Sequence, residues 1–378
     1  MGGRMPKSLH IDLRTISRFR LRRHHLLDDA PADPVAICGD VCGVQAQVMS
    51  SAFLQLWARN HAITRGEIDE ALWRSRTLVK TTLMRQTLHL IPAAEFPLYI
   101  AALKPSLMAG ALRIMAKFGI DRDEAEALTM LIVDALSSGP LGRPAINAAV
   151  RPKVSKRVRS WMENVWSIVR MPVAEGLICY GRGDSKEVSF VRVDRWLPGL
   201  KSNPISETEA QSALFRKYLR AYGPATLTDF SHWSGIPMQQ VKPVFATLES
   251  ELKAIPGDGK SLLLLREDVA VLNRSSGKQT CIRLLPSFDT YVLAHRDKDH
   301  LLSAKHYKRV YRNQWWISPV VLIDGAVAGV WSHKLQSKKL LIEVEPFGVL
   351  SRTARATIER EAQRLAIFFA ADLQFRFV

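Results

Sequence analysis

The stretch that leaves this chain least freedom is residues 209–265, EAQSALFRKYLRAYGPATLTDFSHWSGIPMQQVKPVFATLESELKAIPGDGKSLLLL. Apolar residues at helical spacing run to Tyr222, where Gly223-Pro224 must interrupt the helix, because proline has no amide hydrogen and its ring clashes with the preceding turn. Thr226 or Thr228 can cap a second, short helix, and a third begins after Pro237. Two apolar, β-rich runs then flank PGDGK, a turn whose glycines allow the chain to reverse. Three helices closed by a hairpin leave few ways to bury the apolar faces.

The same order is legible twice more. In the first unit AQVMSSAFLQLWARN reads as an amphipathic helix, Thr64 with Glu67 predicts a capping box for RGEIDEALWRS, and LVKTTLMRQTLHLI predicts a hairpin. In the second, EALTMLIVDALSSG, RPAINAAV and the long RVRSWMENVWSIVRMPVAEG predict helices, and LICYGRGDSKEVSFVRV a strand, a glycine turn and a strand. This is winged-helix order, a helix-turn-helix followed by a wing. After about residue 268 the grammar changes to VAVLN, CIRLLP, WISPVVLID, AVAGVWSH and KLLIEVEP, all read as strands, then one terminal helix, SRTARATIEREAQRLAIFFA. The expected fold is α+β: N-terminal helices with a first winged unit over 1–100, a second over 101–198, a third over 205–267, and a mainly antiparallel β subdomain with a C-terminal helix over 268–378.

A net charge of +17, from 53 Lys and Arg against 36 Asp and Glu, points to a polyanion, with nucleic acid first; a basic enzyme whose charge only sets solubility is the competing reading. Arg151, Lys153, Lys156, Arg157 and Arg159 form a run without an acid between them, suited to phosphates, although such a run is often only a solvated face. Arg182 and Lys186, Lys260, and Arg274 with Lys278 fall at expected hairpin tips, where a side chain can enter a minor groove.

Four scattered cysteines, Cys38, Cys42, Cys179 and Cys281, make neither a disulfide framework nor a metal-ligand spacing, and no phosphate loop or dinucleotide fingerprint occurs, so no cofactor or metal is expected. The basic amino-terminal stretch lacks the apolar core of a signal peptide, and SPVVLIDGAVAGVW is short and carries Asp324, so a cytoplasmic, DNA-associated chain with no membrane span is expected.

Gln45 and Gln47 bracket Ala46 just before an apolar helix. In an extended segment residues two apart project to one side, which would let the two amides act together; helix capping or a surface pair is the bland alternative. A carboxamide does not ionise usefully near neutral pH and makes a poor general base. It can hold a water and solvate a developing cation, which suffices when the leaving group is already good, as in loss of a cationic alkylated purine through an oxocarbenium-like state.

GVQAQ leading into AFLQLWARN, then TLMRQTLHLIP, YLRAYGPATLTDFSHWSGI, LLPSFDTYVLAHRDK and VVLIDGAVAGVW, in this order, resembles the bacterial winged-helix DNA glycosylases of the AlkZ and YcaQ kind, from about residue 13 to the carboxyl end. The resemblance implies tandem winged helices around a concave basic surface, a catalytic Gln-aliphatic-Gln motif facing it, and excision of alkylated bases from duplex DNA, including unhooking of interstrand crosslinks. Gln45, Ala46 and Gln47 match that motif. Gln47 stands where some members have Asp and looks like the crosslink-resistance branch. Gln45 is expected to hold a water or the deoxyribose, and Gln47 to position that water and stabilise positive charge.

No lysine stands in the motif as a Schiff-base nucleophile, so a monofunctional enzyme, working as a monomer, is expected. Arg85, Thr87 and His89 alternate on the first wing and could face DNA together. Asp289 is read as a turn residue or a partner for Arg296 rather than a catalytic base, His24 and His25 as surface or cap residues, and one ring of Trp315 and Trp316 as part of a core. The rival readings are a winged-helix transcription regulator, which would prefer one operator sequence and leave DNA unchanged, and a damage-binding protein without catalysis.

Overall fold

A computed structural model describes residues 12–27, 32–164, 168–183, 187–200, 205–257, 260–277 and 280–378. Helix α1 (Leu13–Arg23) is capped by Asp12, whose carboxylate accepts from Thr15 N at 2.7 Å, and α2 (Pro34–Asp40) by Asp33, with proline at its first position. Strand β1 (Val44–Gln45), helix α3 (Met49–Arg59) and helix α4 (Arg65–Asp69) follow, α4 with the expected Thr64–Glu67 capping box. β2 (Leu78–Thr82) and β3 (Leu88–Pro92) form an antiparallel hairpin around a single turn at Met84–Gln86.

The second unit holds α5 (Phe96–Ala116), α6 (Arg122–Ala135), β4 (Leu141–Gly142), α7 (Arg143–Val150), α8 (Lys156–Asn164), α9 (Arg170–Ala174), the pair β5 (Ile178–Gly181) and β6 (Ser189–Arg192), and α10 (Val193–Trp196). The long helix expected over 157–176 is therefore two helices. Pro172, without an amide hydrogen, sits in the first turn of α9, where no helical bond from it is needed. Helix α5 was not foreseen. Together with the turn before it, Ala93–Ala116 has the length and apolar composition to cross a membrane, yet it feeds Tyr99 and Leu103 into one core and Ala111 and Met115 into another.

The third unit is α11 (Glu207–Tyr222), α12 (Leu227–Ser234), α13 (Met238–Leu248) and the hairpin β7 (Leu252–Gly257) and β8 (Lys260–Leu265). Thr226, not Thr228, caps α12, in a box with Asp229. That helix ends at Gly235, whose φ of +80° suits glycine and whose missing Cβ would lie 3.2 Å from Arg85 N, so the first hairpin can press against it. Then come α14 (Val269–Asn273), β9 (Ile282–Leu285), α15 (Thr290–Leu293), α16 (Tyr307–Val310), β10 (Val320–Ile323), β11 (Ala326–Gln336), β12 (Lys339–Pro346), α17 (Arg352–Phe368) and β13 (Asp372–Phe377). VAVLN is thus a helix, not a strand; a short apolar run carries no period of its own, and Leu272 is buried beside Ile16 and Phe19 of α1.

The first two hairpins merge into one six-stranded sheet, ordered β1-β3-β2-β5-β6-β4, joined where Lys80 pairs with Tyr180. The C-terminal sheet runs β13-β12-β11-β10-β9 and is antiparallel except for the unforeseen parallel pair β12 and β13. Helix α1 does not stay with the first unit: Ile16 and Phe19 pack on the third unit, and Leu21, with Leu26 just beyond the helix, on the C-terminal sheet. Each such fully buried side chain contributes roughly 1.5–3 kcal/mol, so the chain's start ties its last two parts together.

Candidate functional site

The glutamine pair sits where a strand hands over to a helix. After α2 the chain reverses through Cys42 and Gly43, with φ of 56° and 92°, and a Cβ on Gly43 would come 3.0 Å from Ile91. β1 then pairs with β3, Val44 opposite Leu90 and Gln45 opposite His89, and Ala46 N donates to Leu88 O at 2.7 Å. Gln47 lies in a bend before α3, and its Oε1 accepts from Leu88 N at 3.4 Å. Because the strand ends at Gln45, period-two alternation does not carry to Gln47, and the amides are not an equivalent pair as expected. Gln45 is 5 % exposed and its Oε1 has no protein donor, whereas Gln47 is exposed and lines a cleft of about 570 Å³.

Gln45 belongs to a buried polar row, Gln45, His89 and Thr81, across three strands. Burial, reinforced by the Arg85 charge, pushes His89 down to about 3, so the ring is neutral; its Nδ1 lies 2.9 Å from Thr87 O. Behind the motif, Gln55 donates from Nε2 to Gln45 O at 2.9 Å and accepts from Thr290 N at 3.2 Å. Arg59 donates to Gln55 O at 2.9 Å and grips Asp289 with two bonds of 2.8 and 2.9 Å, both side chains being fully buried. Burial alone would lower the Arg59 pKa, but the Asp289 carboxylate outweighs it and the net shift is upward. Asp289 has the turn role expected of it, accepting from Tyr291 N at 2.9 Å as the cap of α15, but its ion-pair partner is Arg59 and not Arg296, whose backbone N donates to Asp229. His24 is the cap of α1, one of the two roles expected of it, but it is not on the surface. It is fully buried, 3.3 Å from Arg59, and burial with the neighbouring Arg59 charge holds it well below its usual range.

The cleft beside Gln47 is lined by Lys80, Thr82, Arg143, Arg170, Tyr180 and Glu187 among others. Lys80 is the residue sequence reading missed. It is 8 % exposed, its amine lies 5.7 Å from the Tyr180 ring centre, and burial pushes it down to about 8. The one local signal is a lysine inside LVKTT, a run otherwise suited to a buried strand.

The expected DNA contacts scatter. Arg85, Thr87 and His89 do not share an open strand face: Arg85 sits in the Met84–Gln86 turn with φ 53° and donates to Trp233 O at 2.6 Å, Thr87 bonds back to Met84 O, and His89 is buried. Lys153, Lys156, Arg157 and Arg159 are exposed around the start of α8, but acids from outside the run reach it, Asp134 at 3.8 Å from Lys153, Glu124 at 3.3 Å from Arg157 and Glu163 at 2.6 Å from Arg151. Arg182 is exposed beside Asp69 and Glu70 of the first unit. Lys260 pairs with Asp297. Arg274 follows α14 instead of tipping a hairpin, a consequence of VAVLN being helical; Lys186 and Lys278 lie outside the described residues. Neither tryptophan ring is buried in a core: Trp315 is 93 % exposed and Trp316 43 %, its ring centre 5.0 Å from that of Phe288 in an edge-on arrangement, and Gln314 and Trp315 both adopt left-handed conformations.

Residues 39–368 match the family described as DNA glycosylase AlkZ-like. An interstrand DNA cross-link repair glycosylase of Streptomyces sahachiroi is 29 % identical over 368 residues, 93 % of this chain and 95 % of the relative. The solved structure of the Streptomyces sahachiroi DNA glycosylase AlkZ superposes with a TM-score of 0.85 at 27 % identity, covering 99 % of this chain and all of that one. With the ordered motifs, the Gln-Ala-Gln element and the fold in agreement, the chain belongs to the AlkZ-like DNA glycosylases.

Proposed function

We propose that this glycosylase hydrolyses the N-glycosidic bond of N7-alkylated, cationic purines in duplex DNA and unhooks interstrand crosslinks, leaving an abasic site. The observation that carries the reading is Gln47 opening on a cation-lined cleft, two residues after Gln45, whose buried carbonyl oxygen has no protein donor. Gln45 Oε1 accepts a hydrogen bond from the attacking water, and Gln47 directs that water and solvates charge as the sugar becomes oxocarbenium-like. The alkylated base leaves as a neutral molecule, which is why two non-ionising amides suffice. Arg143 and Arg170 supply positive charge along the cleft for the phosphates. A crosslinked base cannot swing free of the opposite strand, so an open cleft that reaches the sugar suits such a lesion better than a closed base pocket. The Streptomyces relative, named for crosslink repair, supports the same reading.

The test is base release from duplexes bearing one N7-alkylguanine or one guanine–guanine crosslink, with alkali revealing abasic sites. Gln45→Ala and Gln47→Ala should each slow release by about 10²-fold, in line with loss of one preorganised polar group at the reacting centre, while DNA binding persists. No release by the native protein from either duplex would overturn the proposal. Loss of activity in Glu187→Gln together with a fully active Gln47→Ala would assign the base to the carboxylate on the cleft instead.

A further inference from the structure

The residue that the hydrolytic mechanism leaves unused is Lys80. It lies in the middle of β2, and the register places it on the same sheet face as Thr82, which pairs with Leu88, whose amide in turn contacts Gln47. One strand across and two residues along, Leu88 and Lys80 are about 8 Å apart at the backbone, a gap that a lysine side chain largely spans. The amine therefore reaches the cleft on which Gln47 opens. Its amine faces the ring of Tyr180, and no carboxylate bonds to it among the described residues.

A buried amine without a carboxylate is costly as an ammonium, which favours the neutral, nucleophilic form. At about 8, the group carries a substantial fraction of free amine near neutral pH, unlike an exposed lysine near 10.4. The reaction proposed above leaves an electrophile in the same cleft: an abasic deoxyribose, whose ring opens to an aldehyde at C1′. We propose that Lys80 condenses with that aldehyde, holding the abasic product as a reversible imine.

The amine nitrogen adds to C1′, the carbonyl oxygen takes up the proton that nitrogen gives up, and the carbinolamine then loses water to form the C=N bond. Adding water back reverses each step and frees the strand, so no oxidant, reductant or metal is consumed. The inference rests on the cleft being where the abasic sugar is left. It leaves standing the reading that no lysine stands in the motif itself, since Lys80 lies on a neighbouring strand.

The experiment incubates the full chain with a duplex carrying one preformed abasic site, adds sodium cyanoborohydride to reduce any imine, and resolves covalent protein–DNA species on a denaturing gel. Native protein should trap the strand, and peptide mass spectrometry should place the adduct on Lys80. Lys80→Arg and Lys80→Met, each checked for native DNA affinity, should lower trapping at least tenfold. Equal trapping by a variant that binds normally, an adduct mapped to the amino terminus or another lysine, or no trapping by saturating native protein would each overturn the inference. Preformed abasic DNA needs no base release. Trapping without base release from alkylated DNA would therefore sink the glycosylase substrate assignment alone, and base release without trapping would sink the imine alone.

Discussion

Removing the Asp289 carboxylate by Asp289→Ala deletes both bonds to Arg59, at 2.8 and 2.9 Å, and the cap on Tyr291 N at 2.9 Å. It also strands a guanidinium that has no exposure to water. Breaking a buried pair from one side costs about 3–5 kcal/mol, against total stabilities of roughly 5–15 kcal/mol. The cap adds about 1 kcal/mol. The expected result is a fall in Tm of roughly 5–10 °C, followed by tryptophan fluorescence during heating. Arg59→Met with Asp289→Leu should be less destabilised than either single change, because it removes both charges and fills the space with apolar groups. At a temperature where Asp289→Ala is folded, base release should fall less than in Gln45→Ala, since Asp289 acts on the motif only through Arg59, Gln55 and the Gln45 carbonyl. A Tm shift below 1 °C, or a double variant worse than the sum of the singles, would refute the reasoning.

Two further outcomes follow from burial. Trp315→Ala should weaken duplex binding by about 1–3 kcal/mol through lost base stacking, without changing the salt slope, since no charge is removed; unchanged affinity would show that the ring, 93 % exposed, serves no DNA contact. His24, His89, His295 and His300 are all held below their usual pKa, by burial first and nearby cations second, with His89 at about 3. The unfolded chain takes up protons from about pH 6.5 downward and the folded chain does not, so the stability present above that pH is lost as pH falls toward 3, at up to about 1.4 kcal/mol per pH unit for each histidine. Denaturant midpoints at pH 7.5 and 5.5 should differ in that direction, less so in His89→Gln; a flat profile would contradict it.

Much of the helical frame was readable because helix ends are local chemistry. Thr64 with Glu67, a threonine cap at 226 or 228 and the break at Gly223-Pro224 satisfy or withhold backbone bonds within a few residues, whatever the rest of the chain does. The Gln-Ala-Gln element was likewise visible as a short pattern ahead of a helix. VAVLN was not, since its helical state follows from Leu272 meeting α1 more than two hundred residues earlier, and β13 was missed because its parallel partner lies across α17. The inner side of the site was equally remote: Asp289 meets Arg59 across 230 residues, and Lys80 reaches the cleft only because two hairpins fuse into one sheet at the Lys80–Tyr180 pair. Caps, breaks and motif were settled by interactions between near neighbours in the chain. Which amide opens on the cleft, and which amine lines it beside that amide, was decided by long-range packing, where desolvation and cross-strand register act on residues that no local pattern connects.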